Sequence, residues 1–269
     1  MSSTFLYGAN VRANGIRQHY LRYGGKGPAL LIVPGITSPA ITWDFVGQRL
    51  GEQFDVYIID VRGRGLSEAG DHLDYGINAL GADAAAFAKA VGLTDYGMIG
   101  HSMGGRIVPR AVARYGATPS KIMLVDPPMN GPGRRGFPQT DAWFTDQIEA
   151  GARGDMTIDQ MRQYFPRWSD EHLLLRTEWI HTCDPRAIIQ IRKDFLEDDF
   201  HAELPSIQQP MLVIAAGQAD LILPEEQAEL ESLNPNIKTI RLDHVGHMVP
   251  WDDLDGFVKL VVEFFKPAA

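Results

Sequence analysis

The sequence predicts an α/β fold, a largely parallel sheet with helices on both faces that is interrupted by one helical insertion. Three observations predict it. Short apolar runs alternate with helix-like stretches from Gly15 to Asp126; the alternation stops between Met129 and about Leu204, where no strand-like run occurs; and it resumes from Met211. A chain of 269 residues, 45% hydrophobic and 22% charged, fits one enlarged domain with a packed core.

Taken in order, Gly15 to Gly24 has strand character and leads through Gly27-Pro28 into the apolar run Ala29 to Val33, a buried strand ended by Pro34-Gly35. A helix is predicted over Ile41 to Leu50, then a second buried strand, rich in Val, Ile and Tyr, over Phe54 to Asp60. Asp60-Val-Arg-Gly-Arg-Gly-Leu-Ser67 is a glycine-rich turn. An Ala-rich helix follows to about Ala90, then the strand Tyr96 to Gly100, a helix after Met103, and the strand Lys121 to Val125, stopped by Asp126-Pro127-Pro128. Met129 to about Leu204 reads as several helices carrying Trp143, Tyr164, Phe165, Trp168 and Trp179. The strand Met211 to Ala215, a helix containing Leu230, the strand Lys238 to Leu242 and a helix from about Leu254 to Phe265 complete the pattern. Residues 1–128 and 205–269 are therefore expected to form the core, and 129–204 a helical cap over the C-terminal edge of the sheet, where open α/β sheets bind ligands.

The net charge of -9 comes from scattered acidic residues, and without a Lys/Arg run nucleic acid is not expected as a partner. No apolar run approaches the roughly 18 residues needed to cross a bilayer, and the N-terminal residues lack the charged and apolar regions of a leader, so a soluble protein is expected, with no membrane partner. Cys183 is the only cysteine, which rules out an internal disulfide and a cysteine metal cluster. A cytoplasmic monomer or small homo-oligomer is expected.

The sharpest motif is Gly100-His101-Ser102-Met103-Gly104, a G-x-S-x-G set between a strand and a helix. The turn there must be tight, which calls for small flanking residues and leaves the serine projecting above the sheet as a nucleophile. The helix behind it offers a positive end and the Met103 N–H to a developing oxyanion. Chain order then asks for an acid and a histidine, and Asp243-His244-Val-Gly-His247 follows the last strand. His247 is the expected base, because it lies further into the loop after Gly246; His244 is expected to be structural. Asp126 and Asp220, each just after a strand, both qualify as the acid that orients the imidazole, and spacing does not choose between them. Ile36, after the strand that ends at Pro34-Gly35, is expected to donate the second oxyanion N–H.

Together with Asp60-x-Arg62-Gly63-x-Gly65-x-Ser67, these features make the chain resemble the α/β-hydrolase superfamily along nearly its whole length. That resemblance implies a mostly parallel eight-stranded sheet flanked by helices, with the helical cap inserted after the sixth strand. A narrower resemblance, to N-formylmaleamate deformylases of aerobic nicotinate degradation, lies in Asp126-Pro-Pro with Gly131-Pro-Gly-Arg134-Arg135, in Trp168-Ser-Asp-Glu171, in Glu178-Trp-Ile-His181-Thr-Cys183 and in Gly246-His247-Met-Val-Pro-Trp251. It implies hydrolysis of a small N-formyl amide through a formyl-enzyme, with no metal or organic cofactor, and it carries the triad acid onto Asp126; Asp220 is nonetheless present, as in ordinary hydrolases.

A substrate ending in a carboxylate needs a local cation in an acidic protein, and Arg134 and Arg135 at the start of the cap are the expected clamp. His101 and His181 are expected to line the pocket, and Arg106 could reach it. The alternatives within the same chemistry are an esterase, an enol-lactonase or a carbon–carbon bond hydrolase; outside it, a ligand-binding receptor without turnover.

Overall fold

The computed structural model describes residues 3–266; Met1 and Ser2, on which the expectation about a leader partly falls, lie outside the described residues. The chain opens with a strand that apolar patterning did not reveal. β1 (Phe5–Ala13) is mostly exposed and pairs antiparallel with β2 (Ile16–Tyr23). The two are joined by Asn14-Gly15 with both residues at positive φ, 48° and 78°, the backbone a two-residue hairpin requires.

The remaining strands are β3 (Ala29–Val33), β4 (Asp55–Ile59), β5 (Tyr96–His101), β6 (Lys121–Val125), β7 (Met211–Ala216) and β8 (Ile237–Leu242). They form one eight-stranded sheet in the order β1-β2-β4-β3-β5-β6-β7-β8, parallel from β4 onward. The chain moves outward from β3 to β4 and then returns past β3 to β5, so the direction of winding reverses between β3 and β5. Loops leaving those two strands part to opposite sides and open a crevice at their C-terminal ends.

Alternate residues of each strand feed two cores. Leu31, Val33, Met98, Leu124 and Val213 face α2 (Ile77–Ala90) and α3 (Gly104–Tyr115), which contribute Leu80, Phe87, Ile107 and Val108. Leu30, Ile32, Ile58, Ile99 and Ile214 face α1 (Asp44–Leu50) and α10 (Leu254–Phe265), through Val46, Leu50, Phe257 and Val261. With both faces covered the strands read as continuous apolar runs rather than as alternations. The helix expected over Ile41 to Leu50 is a 3-10 turn, Ala40–Trp43, followed by the shorter α1.

The glycine-rich turn after β4 is built around Asp60. Its buried carboxylate accepts from the amides of Ala40 at 2.6 Å and Leu66 at 3.0 Å and from His19 Nδ1 at 2.7 Å. Gly65 has φ 57°, and a Cβ there would stand 2.2 Å from the Asp60 carboxylate.

Between β6 and β7 the regular elements are all helical: α4 (Asp141–Arg153), α5 (Ile158–Tyr164), α6 (Asp170–Trp179), a 3-10 turn Ile180–Thr182, α7 (Pro185–Glu197) and a 3-10 turn Leu204–Ser206. Each α-helix starts at a side-chain cap, from Thr140, Thr157, Ser169 and Asp184, which satisfies an amide left free by the first turn. The short helices therefore have defined starts, and α6 packs on the 3-10 turn after β3. Two further helices, α8 (Pro224–Leu233) and α9 (Val249–Asp252), flank β8. Among the described residues no helix is long and apolar enough to cross a membrane.

Candidate active site

Ser102 sits on the turn from β5 into α3 with φ 53°, a left-handed conformation that a non-glycine residue adopts only when its surroundings enforce it. The enforcement is visible. Its amide donates to Val125 O at 2.9 Å, and the neighbouring backbones approach so closely that a Cβ at Gly100 would lie 2.2 Å from Gly104 O and one at Gly104 1.9 Å from Val33 O. Glycine at both positions is thus a steric requirement of the strand-turn-helix crossing.

Three side chains from separate loops meet here. His247 Nε2 lies 2.9 Å from Ser102 Oγ, and His247 Nδ1 lies 2.7 Å from Asp126 Oδ2. A carboxylate only accepts, so Nδ1 carries the proton and Nε2 is left to accept from the serine hydroxyl. Asp126 is fully buried after β6, with φ 47°, and its second oxygen accepts from the Ala216 amide at 3.1 Å. His101, also buried, lies with its ring centroid 4.9 Å from that of His247 and donates from Nε2 to the His247 carbonyl at 3.0 Å. Burial, reinforced by His247, pushes the His101 imidazole down to about 3, so it stays neutral while it holds the His247 backbone.

Among the described residues the Ile36 and Met103 amides make no hydrogen bond within the protein. Met103 is the N-cap of α3, and Ile36 follows β3 across the crevice. Arg64, fully buried without a carboxylate partner, grips both from behind: Nε donates to Ile36 O at 3.1 Å and Nη2 to Met103 Sδ at 3.5 Å. Its remaining bonds go to the carbonyls of Arg62 and Ala187, the latter on α7, so the guanidinium ties the turn after β4 and α7 to the loop after β3.

Ser102 and His247 open into a cavity of about 220 Å³ lined below by Gly35 to Ser38 and His101, and above by Phe137, Trp143, Phe144, Tyr164 to Trp168 and Arg176. The walls are largely apolar. Trp168 stacks on Trp251 with centroids 4.9 Å apart and planes 7° apart, which ties the His247 loop to the helices above it.

A family model described as the alpha/beta hydrolase family matches residues 30–260. The chain belongs to the alpha/beta hydrolase family. The hydrolase is 53% identical over 262 residues to the N-formylmaleamate deformylase of Pseudomonas putida, a match covering 97% of each chain. It superposes on the crystal structure of the N-formylmaleamic acid deformylase of Pseudomonas putida S16 with TM-score 0.90 and 45% identity, covering 95% of this chain and 99% of the other. It superposes on E-2-(acetamidomethylene)succinate hydrolase with TM-score 0.76 and 20% identity, covering 97% and 98%, a likeness of fold alone.

The structure brings together Ser102, His247, Asp126, Ile36 and Met103, and leaves other expected residues elsewhere in the hydrolase. Asp220 is exposed on the loop after β7, its side chain does not bond His247, whose Nδ1 is taken by Asp126, and its backbone carbonyl accepts from Arg135. His244 pairs with Asp253 at 2.9 Å on the surface. Gly246 does not adopt positive φ; its role is an amide anchored on Asp252 at 2.7 Å. The expected arginine clamp is corrected. Arg134 is paired with Glu229, and Arg135 with Glu226 at 2.8 Å, so both join the start of the insertion to α8, and neither lines the cavity. Arg106 is buried against the Asn130 and Phe195 carbonyls and Asp198. His181 lines a separate shallow depression with Cys183 and Arg186. Sequence reasoning missed Arg176, which lies between the quoted stretches Trp168–Glu171 and Glu178–Cys183; its signal was the one arginine of α6, directly after Leu173-Leu174-Leu175, at a position that turns inward. Among the described residues no three His, Cys, Asp or Glu side chains stand together so as to hold a metal ion.

Proposed function

We propose that this hydrolase cleaves N-formylmaleamate to maleamate and formate, using Ser102, His247 and Asp126 as its triad and the Ile36 and Met103 amides as its oxyanion hole. The observation that carries the reading is the 53% identity, over nearly the full length of both chains, to a protein of that activity. The hydrogen-bonded line from Asp126 through His247 to Ser102 supports the roles.

Ser102 Oγ attacks the formyl carbon as its proton passes to His247 Nε2, and the carbonyl electron pair moves onto oxygen, facing two amides that have no other partner. Asp126 stabilises the imidazolium that results. Collapse of the tetrahedral adduct breaks the C–N bond, and the proton on Nε2 goes to the departing amide nitrogen, leaving maleamate and a formyl ester of Ser102. A water, deprotonated by His247, attacks that ester; formate leaves and the serine recovers its proton. Formyl carries only hydrogen beside the reacting carbon, so the tight turn beneath the cavity leaves it room. The ligand class is a small anion, and residues 129–204 act as a cap that keeps water off the reacting bond. A monomer or small homo-oligomer in a reducing cytoplasm goes with this reading, and a single cysteine, which can form no internal disulfide, is compatible with that compartment.

The test is formate release from N-formylmaleamate by the wild type and by Ser102→Ala, beside a panel of simple esters and lactones. Formate released by the wild type and lost in the variant supports the proposal; turnover of esters or lactones alone overturns the substrate and leaves the triad.

A further inference from the structure

We infer that Arg176 is the anchor for a carboxylate at the far end of the ligand, which makes the cavity selective for a mono-anionic acyl amide over its neutral analogue. The inference rests on the proposed deformylase reading for the identity of the ligand, but its physical basis is separate.

Buried arginines in this protein fall into two groups. Arg62 is paired with Asp83, and Arg106 and Arg110 with Asp198. Arg64 and Arg176 have no carboxylate partner among the described residues. Arg64 is spent on carbonyl oxygens and one sulfur, and it does not line the cavity. Arg176 does line it, and is only 2% exposed. Its Nη1 donates to Thr37 O at 2.9 Å, and its Nη2 to Thr37 Oγ1 at 2.9 Å and to Gln147 Oε1 at 3.1 Å. Nε–H is buried with no partner. Three neutral acceptors and an orphan donor leave a full positive charge uncompensated out of water, an arrangement that is costly unless an anion completes it.

The surroundings favour a ligand anion over a missing protein one. The Phe165 ring centroid lies 4.4 Å from the guanidinium carbon, so one face is stacked, and of the five N–H groups Nε–H and one Nη1–H are left to donate to a carboxylate. The other cation of the cavity, Arg167, is about half exposed and already bound to Asp252 and Gln218, which makes it a rim group. Arg176 also grips Thr37, the residue after Ile36. A carboxylate seated there therefore shares the cavity with Ser102 and is referenced to the same loop that presents the Ile36 amide.

The test uses hydrolysis of p-nitrophenyl formate by the intact protein, inhibited by maleamate or by neutral maleamide. In the wild type maleamate should inhibit at least about tenfold more tightly, as expected for a hydrogen-bonded charge. Arg176→Gln should bring the two inhibitors within about twofold of each other, Arg176→Lys should restore part of the difference, and Arg134→Gln should leave it unchanged. Equal inhibition of the wild type by both compounds overturns the inference, and that arm needs no variant to fold. Retention of the preference in Arg176→Gln overturns it too, and a fall in ester turnover with the preference intact makes Arg176 only a brace for Thr37. Absence of formate from N-formylmaleamate with the anion preference present would sink the deformylase reading and leave the anchor standing; formate release without the preference would do the reverse.

Discussion

Replacing Asp126 by Asn tests the triad with the least change of shape. The carboxylate is fully buried, bonds His247 Nδ1 at 2.7 Å and accepts from the Ala216 amide at 3.1 Å. An Asn carbonyl can keep the Ala216 bond. Its NH2 group, however, would face Nδ1 and demand an acceptor there, so the proton moves to Nε2 and the imidazole can no longer take the proton of Ser102. The imidazolium formed during attack also loses its counter-charge, a term of about 4 kcal/mol for charges near 4 Å at an effective dielectric constant of about 20. Together these predict a fall in kcat of about a thousandfold to ten-thousandfold. Formate release under saturating N-formylmaleamate measures it, with urea unfolding as a check that the variant is folded. Asp220→Asn, on the exposed loop, should stay within about twofold of wild type. The reasoning fails if Asp126→Asn retains a tenth of the activity, or if Asp220→Asn matches its loss.

Arg64→Met should lower kcat about tenfold or more with KM nearly unchanged, because Arg64 acts through the Ile36 carbonyl and Met103 sulfur rather than on the ligand; an effect confined to KM would contradict that role. Gly104→Ala places a Cβ 1.9 Å from the Val33 carbonyl and should destabilise the fold by about 3 kcal/mol or more, read as a lower urea midpoint. For pH, the His101 imidazole is held at about 3 in the folded chain, against about 6.5 when unfolded. The unfolded state therefore binds the proton first, and stability falls as pH drops from about 6.5 towards 3, by about 2 kcal/mol from this group at pH 5. His201, pushed down to about 4 mainly by burial, acts in the same direction. Unfolding at pH 8 and pH 5 checks the sign, and equal stability at both would refute it.

Much of the architecture was legible locally. Strands β3 to β7 are apolar runs because both faces of the sheet are covered, and G-x-S-x-G between a strand and a helix located Ser102 because only glycine survives the backbone approaches at 100 and 104. β1 escaped apolar patterning because most of its side chains are exposed; its legible signal was Asn14-Gly15, the two-residue turn into β2. His247 was separable from His244 by its place in the loop. Asp126 and Asp220 were not separable, since each follows a parallel strand and spacing says nothing about which carboxylate reaches Nδ1.

The ligand-binding arginines show the limit most clearly. Arg134 and Arg135 looked available because sequence displays a charge but not its partner; Glu226 and Glu229 lie about ninety residues away and meet them only when α8 packs beside the start of the insertion. Arg176, one of several charges on α6, was not singled out. By itself the sequence determined the buried parallel strands, the nucleophile turn and the histidine loop, because backbone sterics, strand burial and chain order are properties of neighbouring residues. Only the tertiary structure decided which aspartate reaches the imidazole, which arginines are already neutralised, and which one faces the cavity without an anion, because pairing of charges depends on distances that folding alone creates.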